Sequence, residues 1–146
     1  MMGGAREMDT DFALELVATA RAIGRERELT VTVAVVDAAG HPVALARGKH
    51  WHGAYIAFGK ARLAAAFRKP TGVLLQQWAD RPLFAQSLTE IIPGGVTLNP
   101  GGHPVFDGDS CIGAVGVGGG SPDDDDLVAR LAVEAMAARS TANGNT

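Results

Sequence analysis

Two histidines separated by one residue, His50 and His52, are the side chains of this sequence best suited to chemistry. Such neighbours can project to one side of an extended loop, and imidazole exchanges protons near neutral pH or ligates iron, cobalt or zinc. The pair therefore reads as a ligand site, as a metal or heme ligand set, or as a polar loop or oligomer contact. Trp51 between them offers a flat face for a flat ligand, or an anchor for the loop. Arg47 precedes the pair at a strand end, and Lys60 lies beyond it beside Gly59 on a small-residue helix face. A cation held there suits a carboxylate or enolate oxygen. The other reading of both is a solvated head group or a pair with a carboxylate such as Asp37. Tyr55 can donate a hydrogen bond to a bound oxygen or fill a groove.

Other polar positions read as structure. Asp107 and Asp109 flank the hairpin glycine Gly108, which suits turn formers. Asp123 to Asp126 lack the alternating oxygen donors of a calcium loop, and favourable interaction with the amino end of a helix explains them. No cysteine or carboxylate cluster completes a zinc site around His50 and His52, so no metal site is expected. Gly116 to Gly120 matches neither a phosphate-binding loop nor a dinucleotide fingerprint. Its amides can still receive an anion, and the four aspartates beside it favour a carboxylate or a carbonyl over a triphosphate.

The elements that must carry these residues follow from periodicity. Phe12, Leu14, Val17, Ala18, Ala22 and Ile23 predict an amphipathic helix over Thr10 to Glu28, capped by Thr10 or Asp11. Thr30 to Val36 is a strand apolar on both faces, which belongs in the middle of a covered sheet. It turns through Asp37 to Gly40 into a second strand, Pro42 to Arg47. After the loop Gly48 to Gly53, the alanine-rich helix Ala54 to Phe67 can sit close to a sheet, because its side chains add little to the spacing. Thr71 caps a shorter helix through Trp78, and Asp80 to Ile92 is ambiguous between helix and irregular structure. Pro93-Gly94-Gly95 breaks the chain before Val96 to Leu98, a short edge strand or an extended piece. Strands at His103 to Phe106 and Cys111 to Val117 flank the Asp107-Gly108 turn. Ser121-Pro122 then opens a last helix reaching about Ala138. Tight turns pair neighbouring strands antiparallel, so the fold class is α+β.

Whole-chain properties narrow the function. At 146 residues the chain makes one domain, expected over residues 10–139 with flexible ends at 1–9 and 140–146. A net charge of −3 with no basic stripe argues against nucleic acid. No stretch approaches a membrane span or a signal peptide, and the single cysteine, Cys111, reads as a buried thiol, so a cytoplasmic protein is expected.

Three motifs in order then carry a resemblance: AVVDAAGHPVALAR from Ala34, GKARLAAAFRKPT from Gly59, and the segment from Pro93 through the glycine run to Met136. They resemble the GlcG/HbpS family of heme-degrading-domain proteins, also met as the C-terminal domain of PduO-type proteins. The resemblance implies a five-stranded antiparallel sheet flanked by helices, similar to profilin or PAS-like domains, in a dimer or higher homo-oligomer. It also implies that His103 lies near the pocket. Heme or corrinoid binding is known among members. This sequence departs from the pattern in the loop Gly48 to Ala54 and in carrying Gly118 or Gly119 where relatives have serine. The expectation is a small flat organic ligand held between that loop, the following helix, Gly94, Gly95 and the Gly118-Gly119 corner. If catalytic, the protein would do cofactor-independent proton transfer, isomerisation or hydration on an activated carbonyl. His50 or His52 would act as acid or base, with Arg47 or Lys60 on the oxyanion. A heme or corrinoid binder and a non-catalytic accessory subunit are the alternatives.

Overall fold

The computed structural model describes residues 6–144. Of the ends expected to be flexible, residues 1–5, 145 and 146 lie outside the described residues. Helix α1 (Thr10–Glu26) starts at Asp9, whose carboxylate accepts from the Phe12 amide at 2.8 Å; the cap falls one residue before the expected Thr10 or Asp11. Strands β1 (Thr32–Asp37) and β2 (Pro42–Ala46) form the expected hairpin, and α2 (Gly53–Phe67), α3 (Thr71–Gln77) and α4 (Pro82–Ile91) follow. The ambiguous stretch is thus helical, with Pro82 at its start. Strands β3 (Gly102–Asp107) and β4 (Ser110–Gly118) close on Gly108 at φ +61°, and α5 (Pro122–Gly144) ends the description. The Ser121 hydroxyl accepts from the Asp124 amide at 3.1 Å, as the capping signal requires, and α5 continues past the expected end near Ala138.

The sheet is antiparallel in the order β2-β1-β4-β3. Among the described residues it has four strands, not five. Val96 to Leu98 is extended but unpaired with any strand, because its polar groups turn to α4: Val96 both donates to and accepts from the Thr89 hydroxyl at 3.2 Å. Thr97 meanwhile packs on Gly59 of α2.

Strand β1 is central, and its alternation divides the core. Val33 and Val35 join Val115 and Val117 of β4 under α1 and α5, with Leu16, Val17, Val128 and Ala132. The opposite face is built from small residues. Val36 and Ala114 meet Ala61, Ala64 and Ala65 of α2, and Gly116 lies directly under the backbone of Ala57. The alanine pattern therefore acts as expected, letting α2 settle onto the sheet with almost no side-chain spacer. A satellite cluster of Leu63, Leu74, Trp78 and Leu88 packs α3 and α4 beside it.

Thr71 caps nothing. The residue before α3 is Pro70, and the buried Thr71 hydroxyl instead donates to the Asn99 carbonyl at 2.7 Å and accepts from the Gly102 amide at 2.9 Å. Thr71→Val keeps the shape and strands both backbone groups, so urea denaturation is expected to show a loss of about 1–3 kcal/mol. A loss below a few tenths would mean that water replaces the hydroxyl.

Candidate functional site

The loop 47–52 is pressed onto the start of β1 by its glycines. The Gly48 amide donates to the Thr32 hydroxyl at 2.7 Å. A Cβ on Gly53 would lie 2.8 Å from that same oxygen, so only glycine brings the loop this close. The His50 carbonyl accepts from the Gly53 amide at 3.0 Å, which turns the chain into α2. His52 is the N-cap residue without a side-chain cap, and the first turn of α2 holds no acid. The positive end of that helix is thus left open to an anion.

This turn brings the two histidines together. Their ring centroids are 5.3 Å apart at an interplanar angle of 14°. Trp51 stands edge-on to His52 at 5.6 Å and to Tyr55 at 6.1 Å. Trp51 is 69% exposed and Tyr55 72%, so Trp51 anchors no core and Tyr55 fills no groove. Beneath them Thr30, Thr32, Lys49, Ile56 and Gly119 complete a cleft of about 90 Å³ with the histidines and Gly53. Among the described residues no carboxylate pairs with His50 or His52, whereas His41 and His103 each have one. No cluster of three or more metal-ligating side chains occurs among the described residues.

Several expected site residues lie elsewhere. Lys60 is 1% exposed, and its Nζ donates to the Val117 carbonyl at 2.8 Å and to Asp125 Oδ2 at 3.1 Å. It fastens β4 and α5 to α2 instead of facing the cleft. Its partner is not Asp37, which accepts from the Ala39 and His41 amides in the β1–β2 turn. Burial pushes the Asp125 carboxyl above its ordinary range, outweighing the attraction of Lys60 and the hydrogen bond from the Gly120 amide. His103 is buried, with Nε2 2.9 Å from Asp126 Oδ1, tying β3 to α5. The Gly94 carbonyl accepts from Arg62 at 3.1 Å, so Gly94 and Gly95 form a corner against that side chain and line none of the clefts described. Gly118 is buried behind Ile56, while Gly119 reaches the cleft. Cys111 is half-buried, its thiol on the Gly113 carbonyl at 3.3 Å.

Arg47 lines a neighbouring cleft of about 100 Å³ with Arg21, Arg25, Leu29, Thr30 and Gly48. Arg21 and Arg25 were invisible as site residues in a helix read for its apolar stripe; their spacing of four was the available signal. A larger groove of about 600 Å³ runs between α1, α5 and the β3–β4 hairpin. It contains none of the expected site residues, and an Arg139–Glu15 pair at 3.2 Å lies in it.

Fold and site together define a class: an antiparallel sheet between helical layers, carrying an exposed histidine-aromatic loop at the start of its closest-packed helix. The chain belongs to the family described as haem degrading protein HbpS-like, whose model matches residues 8–134. It is similar to a double mutant of Streptomyces reticuli HbpS, at 25% identity and a TM-score of 0.78, over 92% of this chain and 90% of that one. Klebsiella pneumoniae protein ORFY is similar at 25% identity and a TM-score of 0.78, over 94% and 98%. So is PduOC in a heme complex, at 25% identity and a TM-score of 0.75, over 90% and 95%. No curated protein matches the sequence. The heme complex and the family overturn the expectation of a site without a cofactor. That expectation leaned on the altered loop Gly48 to Ala54 and on Gly118 or Gly119 in place of serine, and neither change removes the imidazoles from the surface. Among the described residues no helix is long and apolar enough to cross a membrane.

Proposed function

We propose that the protein binds heme across the loop 47–52, with His50 or His52 toward the iron. The observation that carries this is the pair of exposed imidazoles, without a carboxylate partner among the described residues, set beside the exposed rings of Trp51 and Tyr55. Imidazole is a common axial ligand of heme iron, and the rings offer flat apolar surface to a macrocycle. The donor set fits heme, and the size of the cleft limits how. About 90 Å³ holds a few waters, so the residues around the cleft would hold a macrocycle over its mouth and not inside it. Heme held there supplies iron-centred redox or ligand-binding chemistry. Trp51 and Tyr55 cover one face, and Ile56 keeps the floor apolar. A second copy of the chain covering the outer face is part of this reading, given the exposure of Trp51, Tyr55 and Ile56. Acid–base turnover has less support, since among the described residues no carboxylate orients either imidazole, and Lys60 is committed to Asp125.

Hemin titration followed at the Soret band tests the proposal. A shifted, saturable band is expected, weakened on the order of tenfold or more in a folded His50→Ala/His52→Ala double variant. Spectra that equal the sum of free hemin and protein would sink it, and so would wild-type affinity in the double variant.

A further inference from the structure

We propose that Arg21, Arg25 and Arg47 form a carboxylate-binding subsite beside the histidine loop. Arg21 and Arg25 stand four residues apart on α1 and share one helix face, and Arg47 follows β2. All three are exposed and line one cleft of about 100 Å³ with Leu29, Thr30, Val31 and Gly48. Like charges at this helical spacing repel, and a third cation adds to the cost. Among the described residues none of the three forms an ion pair, although Arg130 and Arg139 do. Arg25 also complements the carboxyl end of α1, which lies in its last turn. Arg21 and Arg47 gain nothing comparable. In a chain of net charge −3, three arginines lining one cleft with no acid among its described lining residues are an anion site by composition.

Guanidinium forks match a carboxylate with paired hydrogen bonds. A polyphosphate is disfavoured, because Asp123 and Asp124 open α5 just beyond Gly119, which lines the histidine cleft. The two clefts share Thr30, and Arg47 to His50 are consecutive in the chain. A ligand with a flat body and a carboxylate arm therefore spans both. The carboxylate has two possible sources, the side arm of a tetrapyrrole or a free small organic acid. The first of these rests on the heme reading above, and the second does not.

The test compares wild type with an Arg21→Gln/Arg25→Gln/Arg47→Gln variant, whose substitutions are at the surface and preserve the fold. Hemin and its dimethyl ester are titrated optically, and benzoate is titrated by NMR. Loss of hemin affinity on the order of tenfold or more, with ester affinity unchanged, supports the subsite and assigns the carboxylate to the tetrapyrrole. Benzoate shifts in wild type that vanish in the variant support it with a free acid as ligand. Wild-type behaviour of the variant toward both hemin and benzoate overturns it, as does the absence of any arginine-dependent binding. The His50/His52 double variant keeps the two readings apart. If it loses hemin while the arginine variant does not, the heme reading stands and the subsite falls; if wild type ignores hemin, benzoate alone decides.

Discussion

Lys60→Met is expected to lower the unfolding free energy by about 3–5 kcal/mol, on the order of 10 °C in melting temperature for a chain of this size. The Lys60 ammonium and the Asp125 carboxylate are both buried, and each is the other's counter-charge at 3.1 Å. Removing the cation leaves a carboxylate out of water with only the Gly120 amide to hold it, at 2.8 Å. Replacing both residues, as Lys60→Met with Asp125→Leu, removes the isolated charge and is expected to recover most of the loss. Recovery is incomplete, since the Gly120 and Val117 backbone groups then lose a partner.

The pH dependence has a definite sign. Asp125 titrates above its ordinary value of 3.8 in the folded protein, so folding takes up a proton between that value and the raised one. Its contribution to stability therefore falls as pH rises through this window. Without Lys60 the carboxyl rises further, and the window extends upward. The Lys60→Met deficit should be smaller at about pH 4 than at about pH 7, where the stranded carboxylate is ionised. Equal deficits at both pH values, measured by urea denaturation, would show that lost packing and not charge is the cause.

Gly116→Ala is the second large effect, with an expected loss of about 3 kcal/mol or more. A Cβ at Gly116 would collide with the Ala57 carbonyl and lie 2.9 Å from the Ala61 amide, and both belong to the backbone of α2. No side chain can rotate away to make room. The helix must rise from the sheet, and the loop 47–52 leads directly into it, so hemin affinity should fall together with stability. A variant as stable as wild type would mean that α2 is seated less closely than described.

Much of this arrangement was legible because its causes are local. An apolar run on both faces of β1 required a central, covered strand, and alanines and glycines required close approach. Serine, proline and aspartate announced the start of α5. That His50 and His52 come together was legible from their spacing, with the geometry following from Gly48 and Gly53. Long-range pairing was not legible. Lys60 and Asp125 are 65 positions apart, and nothing in either neighbourhood distinguishes Asp125 from the aspartates beside it. Thr71 looked like a cap because threonine before an apolar run usually is one; its 31-position hydrogen bond to Gly102 decided otherwise. The fifth strand failed for a related reason. Val96 to Leu98 has the composition of a strand, but the Thr89 side chain takes the bonds a neighbour strand would need.

The backbone-to-backbone seat of α2 on β4 also separates two kinds of variation. A helix held through large side chains shifts whenever one of them changes, and whatever it carries shifts with it. Here the post is set by main-chain atoms, so the short insert mounted on it can change length and chemistry without moving the post. Residues 47–52 can therefore diverge while the remainder of the sheet and its helices stays under a different constraint.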